Sequence, residues 1–203
     1  IGEIENIDPR VVTVIGAGVA GTEAIKKAIN NKAYLKVIDL SKEKLKDLQK
    51  TFGNNNIEYI ESTELSIEEA LKVSDLVIGS VYVLGKQAPK VVTNNMLRKM
   101  KQGAVIVDFS IDQGGCFESS IPTTHDNPTY VKDGVIHYCV TNMPGAVPLT
   151  ATEALNKATL PYILELANKG VDLALKENIH LANGLNIKNG KVVHSSVREA
   201  LSL

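Results

Sequence analysis

Apolar residues along the chain fall into short runs that alternate with stretches of helical spacing. Val11, Val12, Val14 and Ile15 form one run, β-branched and closed at once by glycines, which predicts a buried strand over Arg10–Ile15. The period then changes, and Ala24, Ile25, Ala28 and Ile29 share one face of a helix over Ala20–Ile29. Leu35–Ile38 reads as a second strand ending in Asp39, and Ser41 as the cap of a polar helix carrying Leu45, Leu48 and Phe52. Further strands are expected at Ile57–Ile60, where Glu58 interrupts the pattern, at Asp75–Ser80 and at Ala104–Val107. Helices over Glu68–Val73 and Thr93–Met100 separate them. This alternation predicts an α/β fold: a doubly wound, mostly parallel sheet with helices on both faces.

Beyond Asp108 the periodicity fades. Residues 109–134 hold Gly114, Gly115, Pro122, Pro128 and Gly134 and read as one long loop, which inside a compact domain is usually functional. A sixth strand is expected at Val135–Val140, followed by a rigid turn from Asn142 to Pro148. Thr150 and Glu153 match a capping box at the head of a long helix, which Pro161 should kink or divide. The tail reads as a short helix and a hairpin turning at Asn189-Gly190. Residues 1–148 are thus expected to form the main domain, and 149–203 a C-terminal appendage of helices and hairpin.

Composition narrows this picture by exclusion. A chain of 203 residues can bury a real core, and 44% hydrophobic with 22% charged residues suits an ordinary globular protein. Lys plus Arg is 22 against 23 Asp plus Glu, a net charge of −1, so neither nucleic acid nor an anionic membrane surface is an expected partner. The longest apolar run, Leu76–Leu84, is broken by Gly79, Ser80 and Tyr82 and falls short of the roughly 20 residues a membrane helix needs. Cys116 and Cys139 are too few for a disulfide framework, which points to a cytoplasmic setting. The chain opens on Ile1 and a charged stretch, and is expected to be cut from a longer protein.

The chemistry is concentrated at Gly16-Ala17-Gly18-Val19-Ala20-Gly21, a G-x-G-x-x-G pattern placed between a strand and a helix. The first glycine permits the tight turn, the second lets backbone approach a pyrophosphate, and the third brings the helix close to the sheet. Asp39 follows Gly21 by 18 positions, at a strand end where a carboxylate can accept hydrogen bonds from an adenosine ribose. Together these predict a Rossmann-type dinucleotide site. A carboxylate at Asp39 repels a 2′-phosphate and no Arg follows it, so NAD is expected rather than NADP, an inference softened by Ser41, Lys42 and Lys44. The ligand crevice of such a sheet lies beyond the strand ends, which makes Ser80, Val81, Ile111 and Asn142 further candidate contacts. Asp108 and Asp112 both stand there, and spacing alone does not choose between them.

His125, His137, His180 and His194 show no metal-ligand spacing, and the cysteines form no C-x-x-C, so no metal is expected. His137 alternates with strand residues and reads as packed, whereas His125 sits in the loop. Neither a G-x-S-x-G elbow nor a P-loop is present.

Several stretches together resemble the NAD-binding half of L-alanine dehydrogenases: Val14–Thr22, Ser74–Gly79, Val105–Asp108, Ile111–Glu118, Pro122–His125, Pro128–Tyr130, His137–Cys139 and Asn142–Pro148. The resemblance implies reversible oxidative deamination of L-alanine to pyruvate and ammonium, with hydride passing to NAD. It makes Gly16, Gly18 and Gly21 the pyrophosphate turn, Asp39 the ribose ligand, and Asn142 and Met143 cofactor contacts. It selects Asp112, rather than Asp108, as the catalytic aspartate beside nicotinamide and substrate. It also implies a homohexamer and an amino-terminal substrate domain, absent here, that carries the carboxylate binders and a catalytic histidine.

Two departures stand out. The family's Pro-Gly-Ala-Lys is replaced by Leu84-Gly85-Lys86-Gln87, which alters a cofactor-proximal loop. From about Val171 the tail resembles the part that packs on the missing domain, so Leu181, Leu185 and Val193 should be partly exposed and favour self-association or docking on that domain. Two other readings stay open. One is the NAD-binding domain of transhydrogenase, disfavoured because about 17 residues separate Asp39 from the third strand, a normal helix plus turns rather than that family's long insertion. The other is a non-catalytic NAD-binding regulatory module.

Overall fold

A computed structural model of the chain describes residues 1–2 and 4–202. Two compact units emerge, one of residues 1–83 and 87–141, the other of 84–86 and 142–203.

The first unit is built on seven strands. In chain order they are β1 (Val11–Ile15), β2 (Tyr34–Asp39), β3 (Ile57–Glu61), β4 (Leu76–Gly79), β5 (Val105–Asp108), β6 (Thr129–Lys132) and β7 (Val135–Tyr138), interleaved with α1 (Val19–Asn30), α2 (Lys42–Phe52), α3 (Glu64–Val73) and α4 (Asn94–Leu97). Across the sheet they stand in the order β3-β2-β1-β4-β5-β7-β6, all parallel except β6. The chain winds outward from β1 to β3 and then returns to β4 on the other side of β1. That reversal opens a crevice at the carboxyl ends of β1 and β4.

Alternation along each strand sends side chains to two separate cores. Val12, Val14, Leu35 and Val37 join Ala24 and Ile25 of α1 and Leu45 and Leu48 of α2 on one face. Ile15, Ile38, Val77 and Ile106 join Leu71 of α3, Met96 and Leu97 of α4, and Phe117 on the other. Side-chain caps mark the starts of α2 and α3: Ser41 Oγ accepts from Lys44 N at 3.2 Å, and Thr63 and Ser66 form a reciprocal box at α3. Glu58 does not end the edge strand β3. It accepts from Tyr34 Oη at 2.7 Å and Lys36 Nζ at 2.5 Å on β2, and these partners hold its carboxyl below the usual range.

Three expectations need correction. The segment 109–134 is not one loop, because β6 pairs with β7 through a tight turn whose Asp133 and Gly134 both have positive φ, 51° and 77°. The expected helix over 93–100 stops at Leu97, after one turn. The long helix α5 runs Pro148–Lys169, starting before the capping box: Pro148 takes the first position, where its missing N–H costs nothing, and Val147 supplies no side-chain cap. Pro161 lies inside α5 and starts no second helix. It removes one hydrogen-bond donor among many along 22 residues.

The second unit continues with α6 (Val171–Glu177), α7 (Ile179–Asn183), a hairpin of β8 (Ile187–Lys188) and β9 (Lys191–Val192), and α8 (Ser195–Ala200). The hairpin turns at Asn189-Gly190 as expected, with φ of 51° and 75°. None of the described residues of α5 is buried, and Leu149, Leu155 and Ile163 are exposed. Leu181 and Leu185 are half-buried and Val193 is 46% exposed, as expected for the tail.

Candidate functional site

A cleft of about 620 Å³ opens in the first unit at the strand ends of β1, β2 and β4. Its floor is the glycine turn, and each glycine there has a different physical reason. Gly16 has φ +90°, and a methyl group on it would overlap the Ser80 carbonyl oxygen. On Gly21 a methyl would overlap the Gly16 carbonyl oxygen, so this residue lets α1 lie against the turn. Gly18 needs neither: its φ is −69°, and nothing lies within 4 Å of the position a Cβ would take. The space beside Gly18 is open cleft, so its lack of a side chain serves something outside the protein's own packing.

The first turn of α1 faces this space. Its hydrogen-bond ladder begins with Thr22 N donating to Gly18 O at 2.9 Å, which leaves the amides of Val19, Ala20 and Gly21 without acceptors inside the helix. Those amides and the positive end of the helix dipole suit an anion.

Asp39 binds the turn from the neighbouring strand. Its Oδ2 accepts from Ala17 N at 2.8 Å and its Oδ1 from Ser41 N at 2.9 Å, while Lys44 Nζ stands 3.6 Å from Oδ2. Each carboxylate oxygen keeps a lone pair for a further donor such as a ribose hydroxyl. Gly16, Gly18, Val19, Ala20, Asp39, Ser80 and Val81 line the cleft, whereas Ala17 and Gly21 are buried behind it.

At the end of β5 and just beyond it, the two aspartates differ sharply. Asp108 is fully buried and accepts from Ser110 N (2.9 Å), Cys116 N (2.9 Å) and Ser120 Oγ (2.5 Å). It ties the following loop to the sheet and is not among the residues that line this cleft. Asp112 is exposed in a short 3₁₀ turn, Ile111–Gln113, and Ile111 is buried. The same loop gives the cleft Phe109, Ser110 and Gln113. Asn142, at φ 51°, and Met143 stand at the start of the second unit. Lys86 of the altered Leu84–Gln87 stretch pairs with Glu199 at 2.6 Å, also within the second unit.

Sequence reasoning missed Lys44, Ser62, Tyr82, Pro89, Val91, Phe109, Ser110 and Gln113 as lining residues. The residues following Asp108 at a strand end were the available signal for the last three; Ser62, after β3, offered little. His137 is packed, as expected: Nδ1 donates to the Val135 carbonyl at 2.9 Å, so neutral Nε2 accepts from Ser119 Oγ at 2.8 Å. Tyr130 stacks on its ring at 4.8 Å, and burial lowers its pKa. Burial also pushes the Cys116 thiol far up, with the Asp108 charge adding to it, so this thiol is inert at neutral pH.

Comparison with known proteins agrees with this geometry. Residues 1–195 match the family model described as alanine dehydrogenase/PNT, C-terminal domain. The chain belongs to this family. The alanine dehydrogenase of Halomonas elongata is 48% identical over 98% of the chain and 54% of that relative, and alanine dehydrogenase 2 of Staphylococcus aureus is 48% identical over 100% of the chain and 55% of that relative. A solved L-alanine dehydrogenase superposes with a TM-score of 0.87 and 44% identity over 99% of the chain and 55% of its own. A transhydrogenase from Sinorhizobium meliloti, 24% identical with a TM-score of 0.70, covering 93% of the chain and 51% of that protein, shares the fold. The chain therefore spans about half the length of the alanine dehydrogenases it matches. C-terminal domains of the alanine dehydrogenase family bind NAD, and the open wall at Gly18 with the uncommitted amides of α1 fits a pyrophosphate.

Proposed function

We propose that this chain is the cofactor-holding part of an L-alanine dehydrogenase, completed by an amino-terminal substrate domain. The observation that carries the reading is Gly18: a helix start with an open wall and uncommitted amides, beside a strand-end carboxylate, in a chain of this family. The amides of Val19 and Ala20 bind the pyrophosphate, and Asp39 orients the adenosine ribose. Ser80 and Val81 border the nicotinamide half. Bound NAD supplies the hydride acceptor for oxidation of L-alanine to pyruvate and ammonium.

Asp112 serves this reaction by charge. A carboxylate beside a substrate iminium stabilises its positive charge and helps place the attacking water. In the complete enzyme, Asp112→Asn should sharply reduce turnover while leaving NAD affinity largely intact, and unchanged turnover removes Asp112 from the mechanism. The assembled enzyme is read as a cytosolic homo-oligomer, a hexamer by family resemblance, with the exposed apolar residues of 149–203 meeting the substrate domain.

Titration of the chain with NADH and NADPH, followed by cofactor fluorescence, tests the reading. The sequence has no Trp, so background emission is low. Preferential NADH binding supports it, and binding of neither overturns it for this chain. Mixing with a separately produced amino-terminal part should then restore alanine-dependent NADH formation. NADH binding without restored turnover favours the non-catalytic module.

A further inference from the structure

The loop that brings Gln113 to the cleft is held from two sides. From inside, Asp108 gathers Ser110 N, Cys116 N and Ser120 Oγ. From outside it is held by Lys90, on the segment between β4 and α4, whose Nζ donates to the carbonyl oxygens of Gly114 (2.5 Å), Gly115 (2.8 Å) and Phe117 (3.2 Å). An ammonium has three N–H donors, and all three are directed at this one loop.

Backbone geometry explains why a cation is needed. Gly114 and Gly115 are consecutive left-handed residues, at φ 91° and 76°, and with Phe117 they bring three carbonyl dipoles to one point. Gly115 cannot carry a side chain, because a methyl group there would lie 2.6 Å from Asp108 Oδ2. Negative ends of dipoles brought together repel unless a positive charge sits among them. Two backbone bonds fix the spacing: Ala88 N to Gln113 O and Val91 N to Cys116 O, both 2.9 Å. Gln113 and Ser110 line the cleft beside Ser80 and Val81, at the β4–β5 half, away from Asp39. In a doubly wound sheet the adenosine lies at the β2 half and the nicotinamide at the β4–β5 half.

We propose that Lys90 is a positioning residue, whose ammonium holds the Phe109–Phe117 loop in the shape that presents Ser110 and Gln113 to the nicotinamide end of the cleft. The inference rests on the cofactor reading above. It makes Lys90 a determinant of nicotinamide recognition without contact to the cofactor, and predicts that the adenosine half is indifferent to it.

The test compares NADH with ADP-ribose, which keeps the adenosine, ribose and pyrophosphate and lacks the nicotinamide. In Lys90→Met the NADH dissociation constant should rise by about tenfold or more, while that for ADP-ribose stays within about twofold of wild type. Lys90→Gln keeps two N–H donors and loses the charge; it should fall between, and it carries the comparison if the Met variant does not fold. Unchanged NADH affinity overturns the proposal. Equal losses for both ligands also overturn it, since Lys90 then merely supports the fold. A wild-type chain that binds neither ligand removes the cofactor reading itself, and a wild type that binds both with no selective loss in the variants removes only the role of Lys90.

Discussion

Gly18→Ala separates folding from binding at the glycine turn. Its φ of −69° is open to any residue, and the added methyl meets no atom within 4 Å. At the helix start, Ala is worse than Gly by a few tenths of a kcal/mol or somewhat more. Ala also restricts the unfolded chain, which favours folding by about 0.4–1 kcal/mol where the native conformation is unstrained. The two effects oppose, so folding stability should change by less than about 1 kcal/mol. Binding has no such compensation, because the methyl occupies the side of the turn that a pyrophosphate must approach. Losing one charge-assisted amide-to-phosphate hydrogen bond costs about 1.5–3 kcal/mol, roughly a tenfold to hundredfold rise in the dissociation constant. Gly21→Ala is the contrast, since its methyl overlaps the Gly16 carbonyl oxygen and the turn or α1 must shift. That variant should lose at least about 1–3 kcal/mol of stability as well as binding. NADH titration together with urea unfolding reads both quantities. The reasoning fails if Gly18→Ala binds NADH as wild type does, or if its unfolding midpoint falls as far as that of Gly21→Ala.

Other residues give independent checks. Asp39→Ala leaves the Ala17 and Ser41 amides without their carboxylate and removes the charge that repels a 2′-phosphate; NADH affinity should fall and the NADPH-to-NADH affinity ratio rise, and an unchanged ratio would show that Asp39 does not discriminate. Asp108→Asn sets an N–H₂ against a backbone N–H that the carboxylate accepts from, Ser110 N or Cys116 N; a loss of about 3 kcal/mol in urea unfolding is expected, and a loss under about 1 kcal/mol contradicts its anchoring role. His137 is buried with its pKa lowered by that burial. The unfolded chain therefore takes up the proton first as pH falls through about 6.5, and stability drops below that value while remaining flat above it. Melting temperatures at pH 7.5 and 5.5 should differ for wild type and converge in His137→Gln; an equal difference in both assigns the effect elsewhere.

The local level was legible where composition and period agree. Runs rich in β-branched residues and closed by glycine or aspartate located β1, β2, β4 and β5, because a strand covered on both faces keeps most of its positions apolar. Ser41 and the Asn189-Gly190 turn were readable because their effect acts within a few residues of themselves. The hairpin of β6 and β7 was missed although Asp133-Gly134 is the same kind of signal, since β6 lies at the sheet edge and its Thr129-Tyr130-Val131-Lys132 alternation is weak. Pro161 starts no second helix, the stronger of the two effects expected of it, because a helix of this length absorbs one missing donor.

At the cleft, the glycine spacing and Asp39 announced a dinucleotide site, because a tight turn and a close backbone approach impose residue types directly on the sequence. Which aspartate at the end of β5 or just beyond it is buried was undecidable there. Asp108 and Asp112 are the same residue type four positions apart, and only the donors converging on Asp108 make it an anchor. Lys90 is the extreme case. Its partners lie 24 to 27 positions further along the chain and are backbone carbonyls, which carry no side-chain identity for a sequence to display. Residue types record constraints that a side chain or its absence satisfies locally, whereas the assignment of charges to partners waits until the fold has brought distant backbone together.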